Sequence, residues 1–180
     1  MSNFHHRKFS LVGHEHAHTD QLWPVLRSAD VLELAYESGL PPERGLTCSV
    51  ENSEIVFTLL LQGDVMGIMG IGRSNKDPRG GKIWFLGSEQ LEKNIDLELI
   101  RQSPYMVALL MENFEIAFNF VSEANTASMK WLDWAGFEFI HRIPDYGIAK
   151  KPFWLFAKAR TVELRKNWDS IFNLHQTRNS

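Results

Sequence analysis

One cysteine, Cys48, stands in a chain of 180 residues, so no internal disulfide can form and a disulfide-stapled extracellular scaffold is excluded. Long apolar runs are missing too. The densest stretch, residues 55–71, is broken by Gln62, Gly63, Asp64, Gly67 and Gly70, which leaves no helical membrane span. Basic excess is absent: 19 Lys and Arg against 22 Asp and Glu give a net charge of −3, the wrong balance for binding a phosphate backbone. Residues 1–7 carry no apolar core of the kind a secretion signal needs. Neither nucleic acid nor a membrane is therefore an expected partner, and an intracellular setting is expected. What is present, 44% hydrophobic and 12% aromatic residues with 23% charged, suffices for a packed core of single-domain size.

The local patterns alternate between periods of two and of 3.6. A short strand is expected at 9–12. A helix capped at Thr19 or Asp20 follows, with Pro24 in a first turn. Asp30 and Glu33, three apart, read as reciprocal caps of a helix stopped by Gly39. Pro41-Pro42 opens a further helical turn to about residue 49. Residues 54–62 and 65–71 form a hairpin turning at Gly63-Asp64, whose second strand tolerates three glycines, and 82–86 adds a third strand. Helices at 88–91 and 96–113, the latter interrupted by Pro104, precede strands at 115–121, 137–141 and 152–159, with a helix at 126–135 stopped by Gly136. An amphipathic helix over 162–174 and a fraying end at 176–180 complete an α+β chain, read as one domain over 1–160 and a helical tail over 161–180.

The stretch Asn125-Thr-Ala-Ser128-Met-Lys-Trp-Leu132-Asp-Trp-Ala-Gly136-Phe137 resembles the last motif of GNAT-type N-acetyltransferases, which have a small residue three after Asn, Tyr seven after it, and Gly-Phe at eleven and twelve. The resemblance implies a twisted, mostly antiparallel sheet of about seven strands flanked by helices. It also implies a loop after the fourth strand whose backbone N–H groups cradle the pyrophosphate of acetyl-CoA. Here that loop is Leu86-Gly87-Ser88-Glu89-Gln90-Leu91, with one glycine, no preceding basic residue and an acid where phosphate would lie. Leu132 replaces the tyrosine that serves such enzymes as general acid, a role leucine cannot fill. Glu115, at a strand start, is a conceivable base, though a solvated carboxylate is the plainer reading.

Ile83-Trp-Phe-Leu-Gly-Ser-Glu-Gln-Leu, then Phe118-Asn-Phe-Val121, then 125–139 resemble in the same order the internal virion protein A family of short-tailed phages, whose chains are GNAT-like. This resemblance implies a non-catalytic protein acting by contacts with other virion or assembly proteins, or with a second copy, in the virion or the infected host cytoplasm. It implies no cofactor and no catalytic residue. The alternative is an acetyl-CoA-dependent N-acetyltransferase with a degenerate pyrophosphate loop, in which Gly87, Ser88 and Asn125 would touch the cofactor.

Other residues have plainer readings. His14, His16 and His18 would share one side of an extended segment, yet no fourth ligand is committed, so a solvated turn is preferred and no metal site is assigned. Cys48 reads as a small core residue and Asn125 as a helix cap. Leu132 is expected to be buried. Leu164, Trp168, Ile171 and Phe172, spaced i, i+4, i+7 and i+8, make an apolar face that either docks on its own sheet or serves as the partner-binding surface.

Overall fold

A computed structural model describes residues 9–75 and 77–174, so the expectations for residues 1–7 and 176–180 lie outside the described residues. Strand β1 (Phe9–Gly13) leads through α1 (His16–Leu22) and a 3₁₀ turn at Trp23–Val25 to α2 (Ser28–Ser38) and α3 (Pro42–Glu51). The hairpin β2 (Ile55–Leu61) and β3 (Asp64–Arg73) follows, then β4 (Gly80–Gly87), α4 (Glu89–Asn94) and α5 (Leu97–Leu110). Beyond them come β5 (Ile116–Ser122), α6 (Thr126–Trp134), β6 (Glu138–Tyr146), β7 (Lys151–Ala159), α7 (Val162–Arg165) and α8 (Trp168–Ile171). The described strands form one seven-stranded sheet in the order β1-β2-β3-β4-β5-β7-β6, the α+β class expected from the sequence.

Local chemistry sets most of these boundaries. The side chains of Ser88, Asp96, Asn125 and Thr161 accept backbone N–H groups of the helices they open, and Gly39 closes α2 in the left-handed conformation at φ 69°. The hairpin turns on Gln62 and Gly63, both at positive φ, one residue earlier than expected. Helix α5 runs through Pro104 instead of resetting there. The glycines of β3 are not merely tolerated. A Cβ on Gly67 would lie 2.6 Å from the Phe85 ring and one on Gly70 2.8 Å from the Trp84 ring, so both positions make room for aromatics of the neighbouring strand.

The core has three parts. Met106, Val107 and Leu110 of α5 pack with Ile71, Ile83 and Phe156 of the sheet. Leu22 and Leu46, from α1 and α3, pack with Ile68 and Leu86 on β3 and β4. Trp168 packs with Phe118, Leu155 and Ala157, while Leu164, Ile171 and Phe172 lie partly buried against the same cluster. One expectation for the tail is corrected: it is two short helices broken at Lys166–Asn167. Of the two coverings left open for its apolar stripe, the described residues show its own sheet, with Trp168 buried and Leu164, Ile171 and Phe172 partly buried there. Burying a side chain such as Trp168 contributes about 1.5–3 kcal/mol, so the sheet is the stronger claimant.

All neighbouring strands run antiparallel except β4 and β5, which are parallel and pair only over Gly80–Lys82 and Ile116–Phe118. Beyond Lys82 the two strands part, and the sheet opens into a fork.

Candidate functional site

Opening a sheet leaves backbone donors and acceptors on both arms, and each must find another partner. At the crotch, the Asn119 side-chain amide donates to the Ile83 carbonyl at 2.8 Å. At the tips, helix α2 does the same work with two carboxylates one turn apart. Asp30 accepts the Gly87 N–H, from the end of β4, at 2.8 Å, and Glu33 accepts the Ser122 N–H, from the end of β5, at 2.6 Å. Neither carboxylate caps its own helix, contrary to the reciprocal-cap reading. Helix α2 begins at Ser28, earlier than expected, with Arg27 as its N-cap residue, and Asp30 and Glu33 face the fork.

Arg27 and Asp30 form a buried, two-pronged ion pair at 2.7 and 2.8 Å, and Arg27 Nη2 also donates to Ser128 on α6 at 2.8 Å. The Arg27 N–H meanwhile donates to the Gly87 carbonyl at 3.0 Å. One residue thus ties the tip of β4 to the start of α6. Burial pushes the Asp30 carboxyl upward, against two guanidinium bonds and the Gly87 N–H; burial also works against the guanidinium, but the bonds to Asp30 outweigh it and raise it.

Glu33 differs. Desolvation inside the fork pushes its carboxyl up to about 7, although part of the residue's surface stays accessible, and the Ser122 N–H only partly offsets that rise. Asn125 also favours the Glu33 anion: its Oδ1 caps α6 through the Ser128 N–H at 3.2 Å, whereas its buried Nδ2 makes no well-formed hydrogen bond. A carboxyl that titrates near neutrality inside a cleft can take or give a proton at physiological pH.

The fork encloses a cavity of about 430 Å³, within the range of small-molecule sites. Its walls come from both sheet faces: Glu33 and Trp84 towards α2 and α3, Phe85, Met106, Trp131 and Leu132 towards α5 and α6. Leu132 is 5% exposed, buried as expected, and stands on the cavity wall. Cys48, partly buried, also lines it.

Of the other sequence candidates, Gly87 and Ser88 do stand at the fork, but both N–H groups are engaged, by Asp30 and by Met66 O at 2.8 Å. Ser88 caps α4, whose first turn carries the acids Glu89 and Glu92. Glu115 is exposed and lies just before β5, where the strands still pair, away from the open arms. His14 is spent on Thr58 and Thr19, each at 3.2 Å, and α1 begins at His16, so the histidines do not alternate along an extended segment. Arg27, Asp30 and Glu33 were missed as site residues because Ser128, Gly87 and Ser122, the groups that tie them to the fork, lie far along the chain.

No family model matches the sequence, and no curated protein does. Solved structures do. Spermidine N-acetyltransferase from Vibrio cholerae, solved with CoA and spermine, superposes with a TM-score of 0.63 at 12% identity over 87% of this chain and 98% of its own. The ribosomal-protein-S5-alanine acetyltransferase from Vibrio fischeri gives 0.63 at 13% identity, over 88% and 97% of the two chains. The fold is GNAT-like. An aminoglycoside acetyltransferase solved with ribostamycin and coenzyme A gives 0.62 at 16% identity, over 90% and 99%. At such identities the likeness establishes the GNAT architecture of the sheet and its fork.

Proposed function

We propose that the chain is an N-acyltransferase that uses an acyl-CoA thioester and an amine. The observation that carries this is the forked cavity with a carboxyl poised near neutrality on its wall. Neighbours with CoA in their structures share this fold. The strand's two-residue alternation turns the N–H and C=O of Phe85 towards the same opening as Ile83 O and Gly87 N, so β4 offers an edge on which the amide-bearing arm of CoA can lie. The unpartnered Asn125 Nδ2 supplies a further donor.

The thioester would supply an activated carbonyl. Glu33 would accept a proton from the bound ammonium, freeing the nitrogen lone pair to form the new C–N bond as the C–S bond breaks and sulfur leaves as thiolate. With Leu132 in place of an acid, that thiolate would take its proton from water, and the hydroxide so formed would take the second proton of the nitrogen, leaving a neutral amide and a thiol.

The diphosphate end fits less well. Glu89 and Glu92 oppose it in the first turn of α4, and Asp30 already holds the Gly87 N–H. That observation favours a second reading, a non-catalytic GNAT-like protein acting through protein contacts, which is where a role in phage assembly would belong. Calorimetry with acetyl-CoA, alongside thiol release over an amine panel, separates the two. Saturable acetyl-CoA binding with amine-dependent thiol release that Glu33→Gln removes is expected. Absence of binding by both acetyl-CoA and CoA at concentrations up to about 1 mM rejects the transferase and leaves the contact protein.

A further inference from the structure

The described charged residues that line the cavity are Glu33, Glu37, Arg73 and Lys82. Three are already answered. Glu37 pairs with Lys82 at 3.0 Å and accepts the Tyr146 hydroxyl at 3.1 Å, while Arg73 pairs with Glu54 through two bonds of 2.8 and 2.9 Å. Among the described residues Glu33 has no cation within ion-pair distance; its Oε1 takes the Ser122 N–H. The remaining wall is aromatic and aliphatic, with Trp84, Phe85, Phe120 and Trp131 prominent, and both indole N–H groups are spent, on Ser53 at 2.8 Å and Ser103 at 2.9 Å.

Complementarity then selects the ligand. One unbalanced carboxyl asks for one positive charge. Ring faces favour a cation held near them and an apolar body behind it. With Arg73 and Lys82 both paired, no lining cation is free to receive a ligand carboxylate, which disfavours amino acids. With Glu37 engaged, a second ammonium finds no free acid, which disfavours polyamines. We infer that the cavity takes an aromatic or otherwise lipophilic monoamine lacking a carboxylate, its ammonium on Glu33 and its apolar body against Trp84, Phe85 and Phe120. Acylation of that amine rests on the transferase reading, whereas its binding does not.

The charge state of Glu33 makes binding depend on pH. The groups facing it are Arg27 and Asp30 from its own helix, the Ser122 N–H from β5 and Asn125 from α6, with the Glu37–Lys82 pair at the opening. Arg27 and Lys82 stay cationic between pH 6 and 8, and so does an alkylammonium. Over that interval the change at Glu33 decides the outcome: mostly neutral at pH 6, mostly anionic at pH 8. A monoamine should therefore bind roughly tenfold more tightly at pH 8 than at pH 6.

The test titrates the full chain with phenethylamine, phenylalanine and spermidine by calorimetry, without any thioester. Saturable phenethylamine binding, at least tenfold weaker binding of the other two, and loss of both affinity and pH dependence in Glu33→Gln are expected. Equal binding of phenylalanine or spermidine overturns the assignment, as does undiminished binding by a folded Glu33→Gln or no phenethylamine binding at all. Should that variant not fold, the pH series on the native chain decides, since affinity that does not fall from pH 8 to pH 6 is fatal. A parallel acetyl-CoA titration keeps the two failures apart: acetyl-CoA binding without phenethylamine binding sinks the ligand class alone, and the converse sinks the transferase alone.

Discussion

The Asp30 carboxylate accepts the Gly87 N–H at 2.8 Å while two bonds from Arg27 hold it, so a helix acid completes the tip of a strand that its sheet neighbour has abandoned. Removing it leaves a buried guanidinium uncompensated and a buried N–H unpaired. Asp30→Ala should cost about 3–5 kcal/mol, read as a lower midpoint in urea unfolding. Asp30→Asn, which keeps an acceptor for Gly87, should cost less. Equal stability of Asp30→Ala and the native chain would mean the fork tip is held by something else.

Glu33 predicts how stability depends on pH. Its folded value near 7 exceeds that of a free carboxyl, so between about pH 4.5 and 7 the folded state holds more proton than the unfolded state. This group's contribution is therefore greatest at the acid end of that window and falls as pH rises through it, by up to about 3 kcal/mol. Glu33→Gln should flatten the slope, as measured by chemical unfolding at pH 5 and pH 7.5. An unchanged slope would place the carboxyl in ordinary solvent.

Leu132 sits on the cavity wall, at the position of the acid in the GNAT pattern. Because one side of it is open volume, Leu132→Tyr should fold with a penalty under about 3 kcal/mol. If the transferase reading holds, a phenol there should raise thiol release at least tenfold, a modest share of the roughly 10²–10⁴-fold that general acids supply. A folded variant with no gain shows that leaving-group protonation is not what limits the rate.

The tail gives a stability prediction. Trp168 is 7% exposed and packs against the backs of β5 and β7, with the Phe118 and Phe172 rings edge to face at 5.2 Å nearby. Trp168→Ala should cost roughly 3–5 kcal/mol and lower the thermal midpoint on the order of 10 °C, with the oligomeric state in size-exclusion chromatography unchanged. A lost assembly state at constant midpoint would reverse that assignment.

The fold was legible where signals are local. Ser88, Asp96 and Asn125 cap helices in the structure as their side chains predict, and Gly39 stops α2 in the conformation glycine adopts most readily. The site was legible only in outline. Asn125, Gly87 and Leu132 could be found by motif register, but the Arg27 bond to Ser128 spans 101 residues and the Glu33 bond to Ser122 spans 89. In sequence, Asp30 and Glu33 are three apart near a helix start, and capping is the nearer explanation. It takes the parting of β4 and β5 to give those acids other donors. The tail stayed open for a related reason: spacing shows that a face is apolar and is silent on what covers it.

The contact between Gly70 and the Trp84 ring places a gauge for the cavity one strand away from it. The indole lies back against bare backbone, and how far it can lie back sets the bore left for a guest. A methyl group at residue 70 would crowd the ring at 2.8 Å and displace it, changing that bore while every lining side chain kept its identity. Ligand preference in this chain is thus adjustable from a position no guest touches, and a search for specificity determinants limited to the first layer around the cavity would pass over it.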